Sequence, residues 1–542
     1  MRVDQRRGGA VESQLALPAC YTLRQTSEMR FVMSYTIQDF WIPRLAGIVP
    51  TTLEPVLPGW SFERSRNPSF VEADLHLRSG LGEPDTPVWL VAAPGAVGKS
   101  TLAKEISART GAAYLDLGMA NTVAGNYLTG GLFRNDLLTS WQQGRMTVLI
   151  DALDEARLRV TQQSFEDFLT DLEQLARQRS LPVALFGRVG IVEEAWLVLC
   201  EHGMNCPVFD IDFFDAGRAE QFVMAALRRL ANEPRYSRLR NGLSAHRANY
   251  LTASASWLET LRVASASDGA RFAGYAPVLE AVAAVLAGAT NPAKSDESSQ
   301  EAMREDVLQQ LTDQILNREA TKLRDQLSDV VPGSIRNELY SPDEQLDRLA
   351  SIILGTPAPV LAAPLPPQYS ARYDAAVKSF FPTHPFLDGA GRQPSGAVFS
   401  AVVSAYALAS PTREVVAAAE KQTGNGPQSP NPFLIDFYLE YAKRRWGENP
   451  IVPPEHVGLL YDSIRARASA EDIVRLTVEG DEDAEQADVE IQISRTGARD
   501  SDRTLRLSCV RLIPHPCVHN NSPPLSAFEC YCVFTSLAIA LG

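Results

Sequence analysis

The stretch VWLVAAPGAVGKST, residues 88–101, joins an apolar run to a loop that contains two glycines and a lysine. The apolar run is typical of a strand buried in a parallel sheet, and residues 99–110 have the spacing of an amphipathic helix. Residues 93–100 match the spacing of a Walker A loop, with Ala93 in place of the first glycine. Gly95 and Gly98 permit close approach of the backbone to a ligand and unusual backbone angles. The stretch therefore predicts a strand, a phosphate-binding loop and a helix in succession.

Each part of this loop has a chemical role in the motif. Backbone N–H groups point inward at phosphate oxygens, and the following helix adds the positive end of its dipole. Lys99 would contact the β- and γ-phosphates, and Ser100 would bind Mg²⁺. A chance match is the alternative, but a strand before the loop and a helix after it disfavour chance. We expect ATP or ADP, with Mg²⁺, to bind at Pro94, Gly95, Ala96, Val97, Gly98, Lys99, Ser100 and Thr101.

A second informative stretch is TVLIDALDEARL, residues 147–158, in which an apolar strand runs into three carboxylates. Asp151, Asp154 and Glu155 repel one another and resist burial, so this arrangement requires compensating positive charge. Mg²⁺ and Lys99 would supply that charge. An aspartate that ends a buried strand roughly 50 residues beyond a phosphate loop is a Walker B element. Asp151 is therefore predicted to hold Mg²⁺, usually through water, opposite Ser100.

The residues after Asp151 resemble a known family. Asp151 is followed by Ala152, an apolar residue and then the pair Asp154-Glu155. This order resembles the signature of the NACHT group of STAND-class P-loop NTPases, which are related to AAA+ ATPases. The resemblance implies that the pair Asp154-Glu155 is catalytic and that one of the two, Asp154 or Glu155, orients the attacking water. For Glu155 the alternative is that it only begins the next helix, where a carboxylate suits the dipole.

Three further residues are assigned by the same resemblance, which covers about residues 85–290. Arg188 follows the fourth predicted strand, where the family carries a sensor arginine, although Phe186-Gly187 replaces its usual Thr-Ser. A surface salt bridge is the alternative for Arg188. Pro277 resembles the proline that packs near the nucleotide, or else is an ordinary first residue of a helix. His384 is a candidate for the family's β-phosphate-sensing histidine, or else an exposed loop residue.

The pattern along the chain predicts an α/β fold. Five apolar runs, at 87–93, 112–118, 146–151, 182–187 and 206–214, alternate with helical segments that include 131–143 and 164–178. We expect a parallel-sheet P-loop NTPase core covered by helices, followed by helical subdomains and a small C-terminal antiparallel β region. The predicted divisions are a lead-in at 1–84 without a recognisable effector, the core at 85–215, helical subdomains at 216–354, a Pro-rich linker at 355–370, a helical region at 371–470, and a β meander with an irregular tail at 471–542.

Composition limits the class of protein. The chain has 542 residues, 45% of them hydrophobic and 21% charged, which is ordinary for a globular protein of several domains. A formal net charge of −14 argues against extensive nucleic-acid binding. We find neither a signal peptide nor an apolar run of the roughly 18–20 residues that a membrane span needs, so we expect a cytoplasmic protein. Of seven cysteines, four lie near the C-terminus at spacings that fit a zinc site poorly.

These observations favour an ATP-binding and slowly hydrolysing switch of the STAND/NACHT type, in signalling or defence. The resemblance implies that the nucleotide state controls conformation and self-association, with a trigger and an effector protein that the sequence does not identify. An AAA+-like remodelling ATPase is an alternative, but in AAA+ motors a catalytic glutamate occupies the position of Ala152. A non-hydrolysing scaffold with bound ADP is a second alternative. The preference for ATP over GTP is not fixed by the sequence.

Overall fold

A computed structural model describes residues 35–510, with gaps at 52–53, 121–122, 178, 265–268, 289–296, 329, 358–364, 388–390, 427–428, 469–471, 480–485 and 496–502. Within these described residues, none of the helices combines the length and the apolar character that crossing a membrane requires. Of the four C-terminal cysteines, Cys509 lies within the described residues, and the Cys/His-containing tail beyond residue 510 lies outside them.

Seven strands form one sheet. The strands are β1 (Trp60–Ser61), β2 (Leu75–Leu77), β3 (Val88–Ala92), β4 (Ala113–Asp116), β5 (Val148–Asp151), β6 (Val183–Gly187) and β7 (Val208–Ile211). Their spatial order is β1-β4-β5-β6-β3-β7-β2. The five central strands are parallel, and the two short edge strands, β1 and β2, pair in the antiparallel sense. The predicted α/β fold, with a parallel sheet covered by helices, is confirmed.

Burial explains why the central strands read as continuous apolar runs. Every residue of β3, β5 and β6 is buried, since helices cover both faces of the sheet and exclude water from both. The helices of this part are α1 (Ile42–Arg44), α2 (Lys99–Thr110), α3 (Tyr127–Arg134), α4 (Leu138–Gln142), α5 (Leu153–Arg159), α6 (Gln162–Arg177) and α7 (Val189–Glu201). The observed α2 has the predicted bounds.

The helix predicted at 131–143 is instead two helices, α3 and α4. The break lies at Asn135 and Asp136, and Asp136 has a φ of 56° in the left-handed region. The Asn135 side chain donates to the Gly131 carbonyl and accepts hydrogen bonds from the backbone of Val56. Asparagine often ends a helix by bonding to nearby backbone, and helical periodicity alone does not reveal such a break.

The lead-in before β3 packs onto the sheet. The π-helix Ile37–Trp41 buries Ile37, Phe40 and Trp41, and the Trp41 ring lies 5.2 Å from the Trp89 ring of β3. β1 and β2 extend the two edges of the sheet. Residues 35–84 therefore contribute to the same core as the phosphate loop. Residues 1–34 lie outside the described residues.

Beyond β7 the chain is mainly helical, and one apolar cluster extends from Phe214 to Leu507. Its helices are α8 (Ala216–Leu230), α9 (Ser237–Gly242), α10 (Arg247–Ala264), α11 (Gly269–Ala273), α12 (Ala276–Gly288), α13 (Glu297–Gln326), α14 (Gly333–Arg336), α15 (Pro342–Leu354), α16 (Pro367–Phe380), α17 (Ala397–Leu408), α18 (Arg413–Asn425), α19 (Leu434–Trp446) and α20 (Pro454–Arg467). Short 3₁₀ helices occur at Leu117–Met119, Pro234–Tyr236 and Phe381–Thr383.

One predicted boundary differs from the structure. α16 begins at Pro367, inside the predicted linker 355–370, because a proline is well suited to the first position of a helix. Leu365 and Tyr369 also pack against the large apolar cluster. The other domain divisions stay predictions.

The predicted C-terminal antiparallel meander is confirmed. β9 (Asp472–Glu479), β10 (Gln486–Arg495) and β11 (Arg503–Val510) pair in sequence, each antiparallel to the next. The short strand β8 (Ile451–Val452) joins the edge of this sheet parallel to β11, which the sequence did not indicate.

Candidate nucleotide-binding site

The loop between β3 and α2 has the backbone conformation that the sequence predicted. Gly98 has a φ of +100° and directly precedes α2, and Ala96 has a φ of 59°. These left-handed residues turn the chain sharply at the N-terminus of the 12-residue helix α2. Backbone N–H groups at a helix N-terminus are free to bind an anion. The local geometry is therefore that of a phosphate-binding loop.

Lys99 is held over this loop. Its Nζ donates to the carbonyl oxygens of Ala93 at 3.3 Å and Pro94 at 3.1 Å. Burial lowers the pKa of the Lys99 ammonium, and the nearby Asp154 carboxylate opposes that shift. A phosphate group near the loop would offer Lys99 a charged acceptor in place of two neutral carbonyls.

The acidic stretch turns sharply at Ala152. Asp151 ends β5, and Ala152 has a φ of 60° before α5 begins at Leu153. Leu153 is fully buried and anchors the turn, while Asp154 and Glu155 occupy the first turn of α5. The apolar residue of the signature is thus a core side chain. The small residue occupies a left-handed position, in which a bulky or branched side chain would be strained.

Arg188 lies between Asp154 and the phosphate loop. The Arg188 Nε is 3.3 Å from Asp154 Oδ2, and the Arg188 backbone N–H donates to Asp154 Oδ1 at 3.2 Å. A Cβ added at Gly95 would be 3.5 Å from Arg188 Nη2. Since the two side chains of this ion pair are only 21% and 9% exposed, the surface salt-bridge alternative is wrong. The structure brings Arg188 to the predicted site.

Asp151 is held by a tyrosine that the sequence interpretation missed. Tyr114 Oη donates to Asp151 Oδ2 at 2.8 Å. Burial raises the pKa of Tyr114 far above its usual range, so the phenol stays neutral. Tyr114 therefore holds one oxygen of the aspartate that was predicted to hold Mg²⁺.

Glu155 lies in a second acidic group, beside Asp116. A Cβ added at Gly118 would collide with Glu155 Oε2 and would be 2.8 Å from Asp116 Oδ1. Burial, together with the neighbouring carboxylates, raises the pKa of Glu155 to about 7, and Lys322 opposes this rise. Lys322 Nζ, on α13, is 3.9 Å from Glu155 Oε1. A carboxyl group with a pKa near neutrality is suited to accept a proton.

One cavity of about 1230 Å³ is lined by the phosphate loop and by Asp116, Asp151, Asp154, Glu155, Arg188 and Lys322. Typical ligand cavities are about 300–1,000 Å³, so a nucleotide and water would fit. Seven basic and seven acidic side chains line this cavity, and part of its wall is apolar. The apolar part includes Phe70, Val71, Ile211, Phe214, Phe222 and Pro277. An apolar wall beside a charged loop suits a ligand with a flat base and a phosphate chain.

The last two predicted residues lie near this cavity. Pro277 is the second residue of α12 and lines the cavity, so the structure is compatible with both of its interpretations. His384 is fully buried, and the exposed-loop alternative is wrong. Its Nδ1 accepts from the Phe386 N–H at 3.1 Å, which leaves Nε2 to donate to Gln345 Oε1 at 3.1 Å. Burial lowers the pKa of His384 to about 4, so it is neutral.

Some residues of the site carried no usable signal in the sequence. Lys322 and Arg318 line the cavity from α13, far along the chain from the loop. Asp116 could have been found, because it ends β4 as Asp151 ends the neighbouring strand β5, and the two residues are paired in register. Strand ends in a parallel sheet meet at one edge, so two such aspartates would be expected together.

The residues present fit Mg²⁺ bound with a nucleotide. Ser100 and Asp151 offer oxygen ligands, which Mg²⁺ prefers, and Tyr114 orients Asp151. Over the described ranges of the chain, no group of three or more His, Cys, Asp and Glu residues could hold a metal ion alone. Mg²⁺ at this site would accordingly take its other ligands from phosphates and water, as is usual for this ion.

Comparisons with known proteins give only distant likenesses. No protein-family model matches the chain, and no curated protein matches it. Solved structures that are similar to parts of it include the following three. The Walker-type ATPase paby2304 of Pyrococcus abyssi has a TM-score of 0.32 at 11% identity, over 59% of this chain and 91% of its own. A structure on katanin self-assembly has a TM-score of 0.22 at 14% identity, over 42% and 71%. A Thermotoga maritima RuvB mutant has a TM-score of 0.24 at 16% identity, over 47% and 78%. At these values none of the three assigns an activity to the chain.

Proposed function

We propose that this chain binds ATP with Mg²⁺ at residues 93–101, hydrolyses it slowly, and uses the bound nucleotide to control how its core and helical region pack. One observation carries the proposal: a single cavity is lined by the phosphate loop, by Arg188 and by α13. A nucleotide in that cavity would contact two parts of the chain at once. Its phosphates could therefore favour one arrangement of those parts over another.

Binding would engage groups that are already close together. Lys99 would exchange the carbonyls of Ala93 and Pro94 for phosphate oxygens, and the backbone of the loop would hold the remaining phosphate charge. Ser100 and Asp151 would hold Mg²⁺. The metal ion supplies charge neutralisation on the phosphates. The apolar wall of the cavity would exclude water from one face of the base.

The two carboxylates of the signature have different surroundings, and we assign them different roles. Asp154 pairs with the side chain and backbone of Arg188, which fixes that arginine beside the loop. Glu155 is buried beside Asp116, with a pKa near 7. Glu155 would therefore orient the attacking water and accept its proton, and Asp154 would position Arg188 for the γ-phosphate.

Competition for Arg188 supports the switch. The guanidinium pairs with the Asp154 carboxylate, and the γ-phosphate of ATP would be a second, more highly charged acceptor beside Gly95. ADP offers no such group. The difference in contacts between ATP and ADP would bias the packing of the core against α13, whose Lys322 touches Glu155.

The NACHT group of STAND-class NTPases is the family in which we place this function, on the signature Asp151, Ala152, Asp154 and Glu155. Self-association in the ATP state and a role in signalling or defence stay predictions of that resemblance. An AAA+-like remodelling ATPase differs in that it would form a ring and turn over continuously. A scaffold differs in that it would bind ADP without hydrolysing ATP.

A variant that traps ATP and keeps the Asp154–Arg188 pair tests the switch. Glu155→Gln is expected to bind ATP without hydrolysing it. We predict that hydrogen–deuterium exchange in α13 and the mass in solution both differ between the ADP and ATP complexes of this variant. The matched control is Lys99→Ala, which should show no response to either nucleotide. If the complexes saturated with ATP and with ADP show identical exchange and identical mass, the switch proposal is overturned. The non-hydrolysing scaffold then remains.

A further inference from the structure

The position of Tyr114 follows from the pairing of β4 with β5. Tyr114 is opposite Leu149, and Asp151 is two residues further along β5 on the same face. The Tyr114 side chain is long enough to extend diagonally from β4 to Asp151 on β5, so its hydroxyl oxygen lies 2.8 Å from Asp151 Oδ2. The Tyr114 ring is buried, with Lys104 Nζ 5.2 Å from the centre of the ring. The ring is therefore fixed, and its hydroxyl has a defined place.

The direction of the hydrogen bond between Tyr114 and Asp151 follows from counting protons. A carboxylate accepts, so Tyr114 uses its one proton on Asp151. This bond occupies Oδ2 of Asp151, and Oδ1 is the oxygen that remains to bind a metal ion.

We propose that Tyr114 is a positioning residue for Mg²⁺, because its hydroxyl holds one oxygen of the Asp151 carboxylate and so fixes the orientation of the other. This inference rests on the proposed function, in which Ser100 and Asp151 hold the metal. Groups hydrogen bonded to metal ligands orient those ligands, and their loss typically lowers metal affinity about 10- to 100-fold.

The test uses the full chain, ADP, and Mn²⁺ as the probe for Mg²⁺. Mn²⁺ affinity of the ADP complex is measured by electron paramagnetic resonance, and ADP affinity is measured separately in the presence of a chelator. Tyr114→Phe removes only the hydroxyl. Tyr438→Phe is the matched control, because Tyr438 is also buried and its hydroxyl bonds His456 at 2.7 Å, within the C-terminal helices.

We expect Tyr114→Phe to weaken Mn²⁺ binding about tenfold or more, with metal-free ADP affinity unchanged, and Tyr438→Phe to change neither. Unchanged Mn²⁺ affinity in Tyr114→Phe overturns the inference. Loss of metal-free ADP affinity in Tyr114→Phe also overturns it, since Tyr114 would then maintain the loop itself. Failure of the proposed function is distinguishable, because the wild-type chain would then bind no ADP.

Discussion

Lys322 Nζ lies 3.9 Å from Glu155 Oε1, and this contact connects α13 of the helical region to the first turn of α5 in the core. Glu155 also lies near Asp154, Asp116 and Asp151, which all oppose its ionisation. Lys322 is the cation that favours the charged form of this carboxylate. The helical region therefore influences the protonation of the residue that we assign to water activation.

The first prediction concerns pH. Because the pKa of Glu155 is about 7 and water activation requires the carboxylate, kcat/KM for ATP should fall as pH decreases through about 7. Lys322→Met removes the opposing cation, so the midpoint of this fall should move to higher pH. Lys322→Arg keeps the charge and is the control. A pH profile measured from 5.5 to about 9 checks this, and a midpoint unchanged in Lys322→Met would show that Glu155 is not the titrating group.

The second prediction concerns the backbone of the loop. A Cβ at Gly98 would meet no atom within 4 Å, so its effect comes from the φ of +100°, which an L-residue rarely adopts. Gly98→Ala should therefore weaken ADP binding at least about tenfold, because left-handed strain of roughly 1–2 kcal/mol or more reshapes the loop. Ala96→Gly is the control, since glycine accepts the φ of 59° at Ala96 freely. Calorimetric titration measures the ADP affinity of both variants, and an equal loss of affinity in the two would contradict the prediction.

The third prediction concerns discrimination between ATP and ADP. Arg188 pairs with Asp154 through Nε while its Nη2 faces Gly95, and lysine has no planar group that could do both. Arg188→Lys should lower the affinity for a non-hydrolysable ATP analogue about tenfold and leave ADP affinity nearly unchanged. Arg157→Lys is the control, because Arg157 pairs with Glu194 at 2.8 Å. A parallel loss for both nucleotides would show that Arg188 does not respond to the γ-phosphate.

The fourth prediction concerns stability in acid. The pKa of buried His384 is about 4, below the ordinary value near 6.5, so the unfolded chain binds a proton that the folded chain resists. The free energy of unfolding is therefore not reduced by His384 well above pH 6.5. It decreases as the pH falls below that value, by about 3 kcal/mol at pH 4. His384→Gln should flatten the dependence of Tm on pH in this interval, relative to the wild-type chain. Parallel curves for the two proteins would exclude His384 as the origin of the acid sensitivity.

Much of the core was predictable because local physics dictates it. The strand–loop–helix at 88–110 combines a buried apolar run, two glycines and an amphipathic helix, and all three signals agree. Asp151, Asp154 and Glu155 were also found, since a buried strand followed by carboxylates is unusual. The role of Ala152 as a left-handed turn was not predicted, because the conformation of the turn depends on how Leu153 anchors in the core.

The partners of these residues were not predictable in the same way. Lys322 reaches Glu155 only because α13 packs against the core, and a polar helix shows no sign of which cation will face a cavity. Tyr114 has the character of any aromatic residue in a buried strand, and its contact with Asp151 depends on the register of β4 against β5. Sequence patterns identify the loop and the acidic turn, whereas tertiary packing decides what surrounds them.

The most direct measurement is single-turnover hydrolysis of ATP, with binding measured in parallel, for three proteins: the wild-type chain, Lys99→Ala, and Asp154→Asn combined with Glu155→Gln. We predict that the wild-type chain converts bound ATP to ADP. The double variant should still bind ATP and convert it at least about 100-fold more slowly, while Lys99→Ala should lose binding at least about tenfold. Equal rates in the double variant and the wild-type chain, or full ATP affinity in Lys99→Ala, would contradict the assignment of this site.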